Sequence, residues 1–189
     1  MKIKIEVSAR HVHLSQNDME ILFGKNYRLN ISKNLSQPGQ YACVERVNII
    51  GDKAEIKNVA VLGPCREKTQ VEISLTDAIK LGIRGVIRES GNLENTPGCV
   101  IQGPAGKVNL TQGVIVAKRH IHMTPKDAEP YNLNDGMICK IKIEEGCRKL
   151  ILDDVVIRIS DKFSLAMHVD TDEANAFGYT KNMFGELIK

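Results

Sequence analysis

A histidine-bearing element that occurs twice restricts the fold of this chain more than any other feature. Residues 7–18 and 116–127 both read V-x-x-R-H-x-H-[LM]-[ST]-x-x-D. Duplication of this kind predicts two similar units, each of which must bury its own core. An alternating strand leads into each copy: Ile3, Ile5 and Val7 before the first, Val114 and Val116 before the second. In each copy a hydroxyl residue, Ser15 or Thr124, precedes an aspartate, Asp18 or Asp127, by three positions, which marks an N-capped short helix. Pro125, at the first helical position, strengthens the second signal.

A second pair of segments corresponds further on. Residues 72–82 align with 168–178, placing Ala78 over Ala174, Gly82 over Gly178 and Glu72 over His168. Both predict a strand feeding a capped helix closed by glycine. The intervening sequence is mostly short β-branched runs, at 46–50, 54–62, 86–89, 100–102, 108–110, 137–143 and 150–159. Turn residues such as Gly51-Asp52, Gly63-Pro64 and Asn134-Asp135-Gly136 separate them. The expected fold is mainly β, two small β-barrel domains related by the internal repeat and capped by short α-helices. The repeat alone divides the chain near 112–118.

Composition removes several function classes. The 189 residues are 42% apolar and 26% charged, as in an ordinary globular protein. The balance of 26 basic against 23 acidic residues is too even to mark a nucleic-acid surface, and with no Trp, four Phe and four Tyr the chain lacks stacking platforms for bases. No apolar run approaches the roughly 18 residues of a membrane helix. The opening residues 1–10 form a charged, alternating strand pattern unlike a signal peptide, so a cytoplasmic location is expected. The five cysteines, Cys43, Cys65, Cys99, Cys139 and Cys147, are odd in number and never spaced C-x-x-C. That pattern argues against a disulfide framework and a thiolate zinc knuckle, and for free thiols.

All five histidines lie in the repeated elements. Positions i and i+2 of a strand share a face, so His11 with His13, and His120 with His122, can each present two imidazoles to one ion. The aligned residues Glu72 and His168 complete two ligand sets: His11, His13 and Glu72 in one, His120, His122 and His168 in the other. Imidazole and carboxylate suit zinc, two ions per chain, although ligand type alone leaves cobalt, manganese and iron open. Arg66, reached through Val61-Leu62-Gly63-Pro64-Cys65 and followed by a strand near Thr69, is expected in a loop beside the first set, where a guanidinium can hold phosphate or carboxylate bidentately. Cys65 reads as structural. Gly103-Pro104-Ala105-Gly106-Lys107 lacks the hydroxyl residue and helix of a phosphate loop and reads as a hairpin turn.

These residues resemble the PduL family of phosphate propanoyltransferases. The resemblance is carried by S-x-R-H-V-H-L-S at 8–15, L-S-Q-P-G-Q at 35–40, L-G-P-x-R at 62–66, T-Q-V-E-I-S at 69–74, A-K-R-H-I-H-M at 117–123 and M-H-x-D-T-D-E-A-N at 167–175. It implies two β-barrels with a dinuclear zinc site between them, one barrel discontinuous: 10–117 as the first domain, 1–9 plus 118–189 as the second. It also implies interconversion of a short acyl-CoA (propanoyl-CoA or acetyl-CoA) plus phosphate with acyl phosphate plus CoA. Arg66 matches the family's catalytic arginine, and CoA contacts carry over to Ser8, Lys33, the Leu62 backbone, His168 and Asn175. Two positions depart from the pattern: Ala9 stands for a frequent Asn, and Ala60 for an arginine before L-G-P. The chain starts directly with its first strand, without the N-terminal extension of microcompartment members. A homodimer or higher homo-oligomer is expected, with no nucleic-acid or membrane partner.

Direct attack by phosphate is the expected mechanism, since no Ser-His-Asp or Cys-His pairing is evident. Glu72 lowers the net charge of the first set, which suits the CoA thiolate, while the three-histidine set suits phosphate, with Arg66 nearby. A metal-dependent hydrolase and a metal-storing β-module are the competing classes.

Overall fold

The computed structural model describes residues 1–188, and the chain divides into two compact units: Ala9–Ala117, and Met1–Ser8 together with Lys118–Lys189. The first strand, β1 (Lys2–Val7), belongs to the second of these, because its ladder partners come from the far end of the chain.

The Ala9–Ala117 unit begins with β2 (His11–Ser15) and α1 (Gln16–Phe23), then β3 (Ile31–Asn34), β4 (Tyr41–Ile50), β5 (Glu55–Arg66) and β6 (Gln70–Glu72). It continues through α2 (Leu75–Leu81), β7 (Ile87–Arg88), β8 (Cys99–Gln102), β9 (Lys107–Leu110) and β10 (Val114–Ala117). Its strands form one curled sheet in the order β7-β10-β6-β2-β5-β4-β8-β9, with β3 paired to β4. Ser15 caps α1 by accepting from the Asp18 amide, as the spacing requires. Ser74 and Asp77 form a full capping box on α2, closed by Gly82 in the left-handed region. The core holds Val12, Leu14, Leu22, Ile49, Val61 and Ile101, all but inaccessible to solvent. Each such side chain contributes about 1.5–3 kcal/mol by burial.

The other unit adds β11 (His120–Met123), α3 (Pro125–Ala128), a 3-10 turn at Glu129–Tyr131, β12 (Ile138–Ile143), β13 (Leu150–Ile159), β14 (Ala166–Val169), α4 (Thr171–Phe177) and β15 (Phe184–Ile188). With β1 these strands close a six-stranded barrel, β1-β14-β11-β13-β12-β15. Closure leaves no free edge. Inside lie Ile3, Ile5, Ile121, Ile141, Ile157 and Phe177. Asp170 and Glu173 box the start of α4, and Gly178 ends it in the left-handed region.

Two local expectations are corrected. Gly63-Pro64 is not a turn: β5 runs through it to Arg66, with Gly63 opposite Tyr41 in the ladder and the Gly63–Pro64 peptide cis. Glycine is required there because a Cβ would stand 2.2 Å from the Tyr41 ring. Arg66 is accordingly the last residue of a strand, paired with Ser15, rather than part of a loop. Gly103 to Gly106 does form the hairpin turn between β8 and β9, closed by Gly103 N–H donating to Gly106 O.

Candidate metal centre and its surroundings

The ladder around β2 decides which side chains meet. β2 lies between parallel β5 and antiparallel β6, in a register that sets His11 opposite Glu72 and His13 opposite Gln70. His11, His13 and Glu72 are all buried. A carbonyl only accepts, so the 2.8 Å contact of His11 Nδ1 with Ala9 O fixes the proton on Nδ1 and turns Nε2 toward Glu72 Oε2, 3.5 Å away. His13 Nε2 lies 4.0 Å from Glu72 Oε1. The three donor atoms all fall within 4.8 Å of one another, and no other trio of His, Cys, Asp or Glu among the described residues meets that test. Ligand atoms around a tetrahedral zinc ion stand roughly 3.3 Å apart, so small side-chain adjustments would close this set on one ion.

The electrostatics fit the same use. Burial works against an ionised Glu72, but the charge and hydrogen bond of His11 outweigh it and hold the carboxyl below the usual carboxylate range. Burial likewise works against a charged His11, and Glu72 overrides it, raising the imidazole above its ordinary value. His13 is pushed down to about 3 by burial first, then by the positive charges of His11 and Arg66. The set is therefore a carboxylate, one imidazole ready to exchange a proton for a cation, and one neutral imidazole.

Arg66 completes this site. Its Nη2 donates to His13 Nε2 at 2.8 Å, and its Nη1 donates to Ser90 Oγ at 3.1 Å. A cation that took the His13 lone pair would release one face of the guanidinium for an anion. Two side chains that sequence reading passed over hold the carboxylate. Gln70 Nε2 donates to Glu72 Oε1 at 2.5 Å, Ser90 Oγ donates to the same oxygen at 3.0 Å, and Gln70 Oε1 accepts from Gly91 N–H at 2.8 Å. Strand alternation puts Gln70 on the face of Glu72, so Gln70 was findable; Ser90, reached only by folding, was not. Cys65 is partly buried, its thiol 3.7 Å from Met19 Sδ and raised in pKa by burial, which agrees with a structural role.

The barrel unit repeats the plan. β11 lies between parallel β13 and antiparallel β14, which sets His120 opposite His168. His120 Nδ1 donates to Lys118 O at 2.8 Å, the counterpart of the His11–Ala9 bond. The three rings cluster with centroids 4.6, 5.0 and 5.3 Å apart, and Phe163 packs 4.2 Å from His122. The His120 and His168 rings stack, their planes 16° from parallel.

The remaining predicted contacts fall in both units. In the barrel unit, Ser8 N–H donates to Val169 O, beside His168, and Asn175 is exposed on α4. In the other, Lys33 is exposed on β3, and Leu62 stands in the ladder between His13 and Ala42. Ala9 supplies the carbonyl that orients His11, and Ala60 pairs with His11 across the ladder.

A duplicated mainly β protein with a buried His-His-carboxylate set beside an arginine defines a class of candidate metal-dependent enzymes. The chain belongs to the phosphate propanoyltransferase family, whose model matches residues 4–180. It is 57% identical over 187 residues to a phosphate propanoyltransferase of Clostridioides difficile, covering 99% of this chain and 89% of the relative. A Thermotoga maritima protein of the same name is 59% identical over 174 residues, covering 92% of this chain and 83% of the relative. The family supports an acyltransferase of the phosphotransacylase type. No helix among the described residues is long and apolar enough to cross a membrane.

Proposed function

We propose that the protein interconverts a short acyl-CoA, propanoyl-CoA or acetyl-CoA, plus phosphate with acyl phosphate plus CoA. The observation that carries this reading is the Arg66 guanidinium held 2.8 Å from His13, inside the buried His11–His13–Glu72 set of a chain in this family. A divalent ion, zinc by ligand type, held by His11, His13 and Glu72 would supply a Lewis acid for the departing sulfur, and one held by His120, His122 and His168 a positive centre for phosphate.

The chain's own groups do the rest. Arg66 holds phosphate through its fork of N–H donors and aims an oxygen at the thioester carbonyl carbon. The C–O bond forms, the C–S bond breaks, and CoA leaves as thiolate, so no acyl-enzyme is needed. Cys65 is a poor nucleophile because burial raises its thiol pKa, which favours direct transfer. Ser8, Lys33, the Leu62 backbone, His168 and Asn175 contact CoA.

Purified protein, loaded with zinc and given propanoyl-CoA or acetyl-CoA, should release thiol only when phosphate is present. Equal release without phosphate would make it a hydrolase, and no release at all, with metal bound, a storage module.

A further inference from the structure

The arginine of the repeated motif takes no part in the reaction above, yet both copies carry it, and in both units it makes the same connection. Arg10 Nε donates to Asp77 Oδ2 at 2.7 Å, and Arg119 Nη1 donates to Glu173 Oε1 at 2.8 Å. Asp77 and Glu173 occupy the third position of α2 and α4, the helices that follow the strands of Glu72 and His168. Each carboxylate serves twice, since it also accepts from its N-cap backbone, Ser74 N–H at 3.5 Å and Asp170 N–H at 3.0 Å.

The position of the bond in the ladder gives it a purpose. His11 pairs with Glu72, and His120 with His168. The arginine is the residue before the first histidine, and the N-cap comes two residues after the third ligand. Each guanidinium therefore ties the strand of the histidines to the strand of the third ligand at the rung beside the ligand pair. The acid changes from Asp to Glu and the donating nitrogen from Nε to Nη1, but the connection persists. Arg119 is anchored further by donating from Nε to Asp153 O on β13. The Arg10 side chain is 43% exposed, and an ion pair so open to water adds little to global stability. Its value is in register.

We propose that Arg10 and Arg119 are positioning residues that hold Glu72 and His168 against the histidines opposite them, and so set the metal affinity of each His-x-His set. This rests on the metal reading above. The test is zinc competition against a chromophoric chelator on the full chain, with the melting temperature of the metal-free protein measured in parallel. Arg10→Gln should weaken one zinc-binding event about 10- to 100-fold and Arg119→Gln the other, the usual range for loss of a residue that orients a ligand. Arg10→Lys should recover part of the loss, and adding Asp77→Asn to Arg10→Gln should weaken binding no further. Wild-type zinc affinity in the variants, with only a lowered melting temperature, would overturn the proposal. If Arg10→Gln does not fold, Asp77→Asn, which keeps an oxygen for the helix cap, decides in its place: the same loss supports the proposal and no loss refutes it. A wild-type chain that binds no zinc overturns this inference and the metal reading together. One that binds a single ion overturns the Arg119 half, and two ions with unaffected variants overturn this inference alone.

Discussion

Replacing Arg66 by alanine separates catalysis from metal binding more sharply than any other change. The guanidinium is placed before phosphate arrives: Nη1 rests on Ser90 Oγ, which is itself bound to Glu72 Oε1, so little ordering is left to be done on binding. Removing one preplaced donor from developing charge costs about 2.7–4 kcal/mol, a factor of about 10²–10³ in rate. A fork that offers two N–H groups to phosphate should sit at the upper end. The expected result for Arg66→Ala is therefore a loss of about 10³ in kcat/KM for phosphate. Zinc content should be unchanged, because arginine is no ligand. His13 loses one of the charges that depress it and rises from about 3, but burial and His11 still keep it neutral near pH 7. Arg66→Lys restores charge without the fork and should recover only part of the rate. The assay is thiol release against phosphate concentration, with metal content measured on the same sample. Wild-type kcat/KM, or zinc lost in step with activity, would refute the role assigned to Arg66.

Zinc binding at the His11 set should weaken as pH falls, because the ion must displace the proton on His11, whose pKa is raised, while His13 is already neutral and Glu72 ionised. Between about pH 4 and 6 the logarithm of affinity should change by about one per pH unit; chelator competition in a His168→Ala chain measures it, and a slope of two would show that His13 also carries a proton. Exposed Cys147 should react with a thiol reagent at pH 8 ahead of the others, because burial pushes Cys43 and Cys139 up to about 11 and Cys99 up to about 12. Equal labelling of all the thiols in the folded protein would contradict this. Gly98→Ala should destabilise strongly, since its Cβ would stand 1.8 Å from Leu110 O, whereas Gly39→Ala, with nothing within 4 Å, meets only the strain of a φ of +75°. Melting curves should place the first several degrees below the second, about 2–4 °C for each kcal/mol.

What the sequence disclosed follows from how local each feature is. The H-x-H pairs and the capped helices rest on spacings of two or three residues, and Glu72 and His168 on a short alignment, so all could be read before folding. The β-branched run that predicts β4 starts only at residue 46, although the strand begins at Tyr41, and β3, an exposed four-residue strand reading ISKN, carries no apolar alternation at all. β15 is obscured by Gly185, where a Cβ would stand 2.3 Å from Ile141, a close approach that only the closed barrel demands. The sequence predicts a loop for Arg66 because Gly-Pro is ordinarily a turn, and the ring of Tyr41, which makes the glycine a strand residue here, comes from another strand.

The membership of β1 bears on how the chain is made. This strand is synthesised before the Ala9–Ala117 segment, yet its partners β14 and β15 are synthesised after it. At roughly 5–20 residues per second it waits on the order of ten seconds for them. Every strand pairing of Ala9–Ala117 is internal to that segment, so it can mature during the interval while an amphipathic hexapeptide trails from its start unpartnered. The charges of β1 then acquire a second use. Lys2, Lys4 and Glu6 alternate with Ile3, Ile5 and Val7, and a strand so interrupted is a poor template for pairing with another nascent chain while it waits.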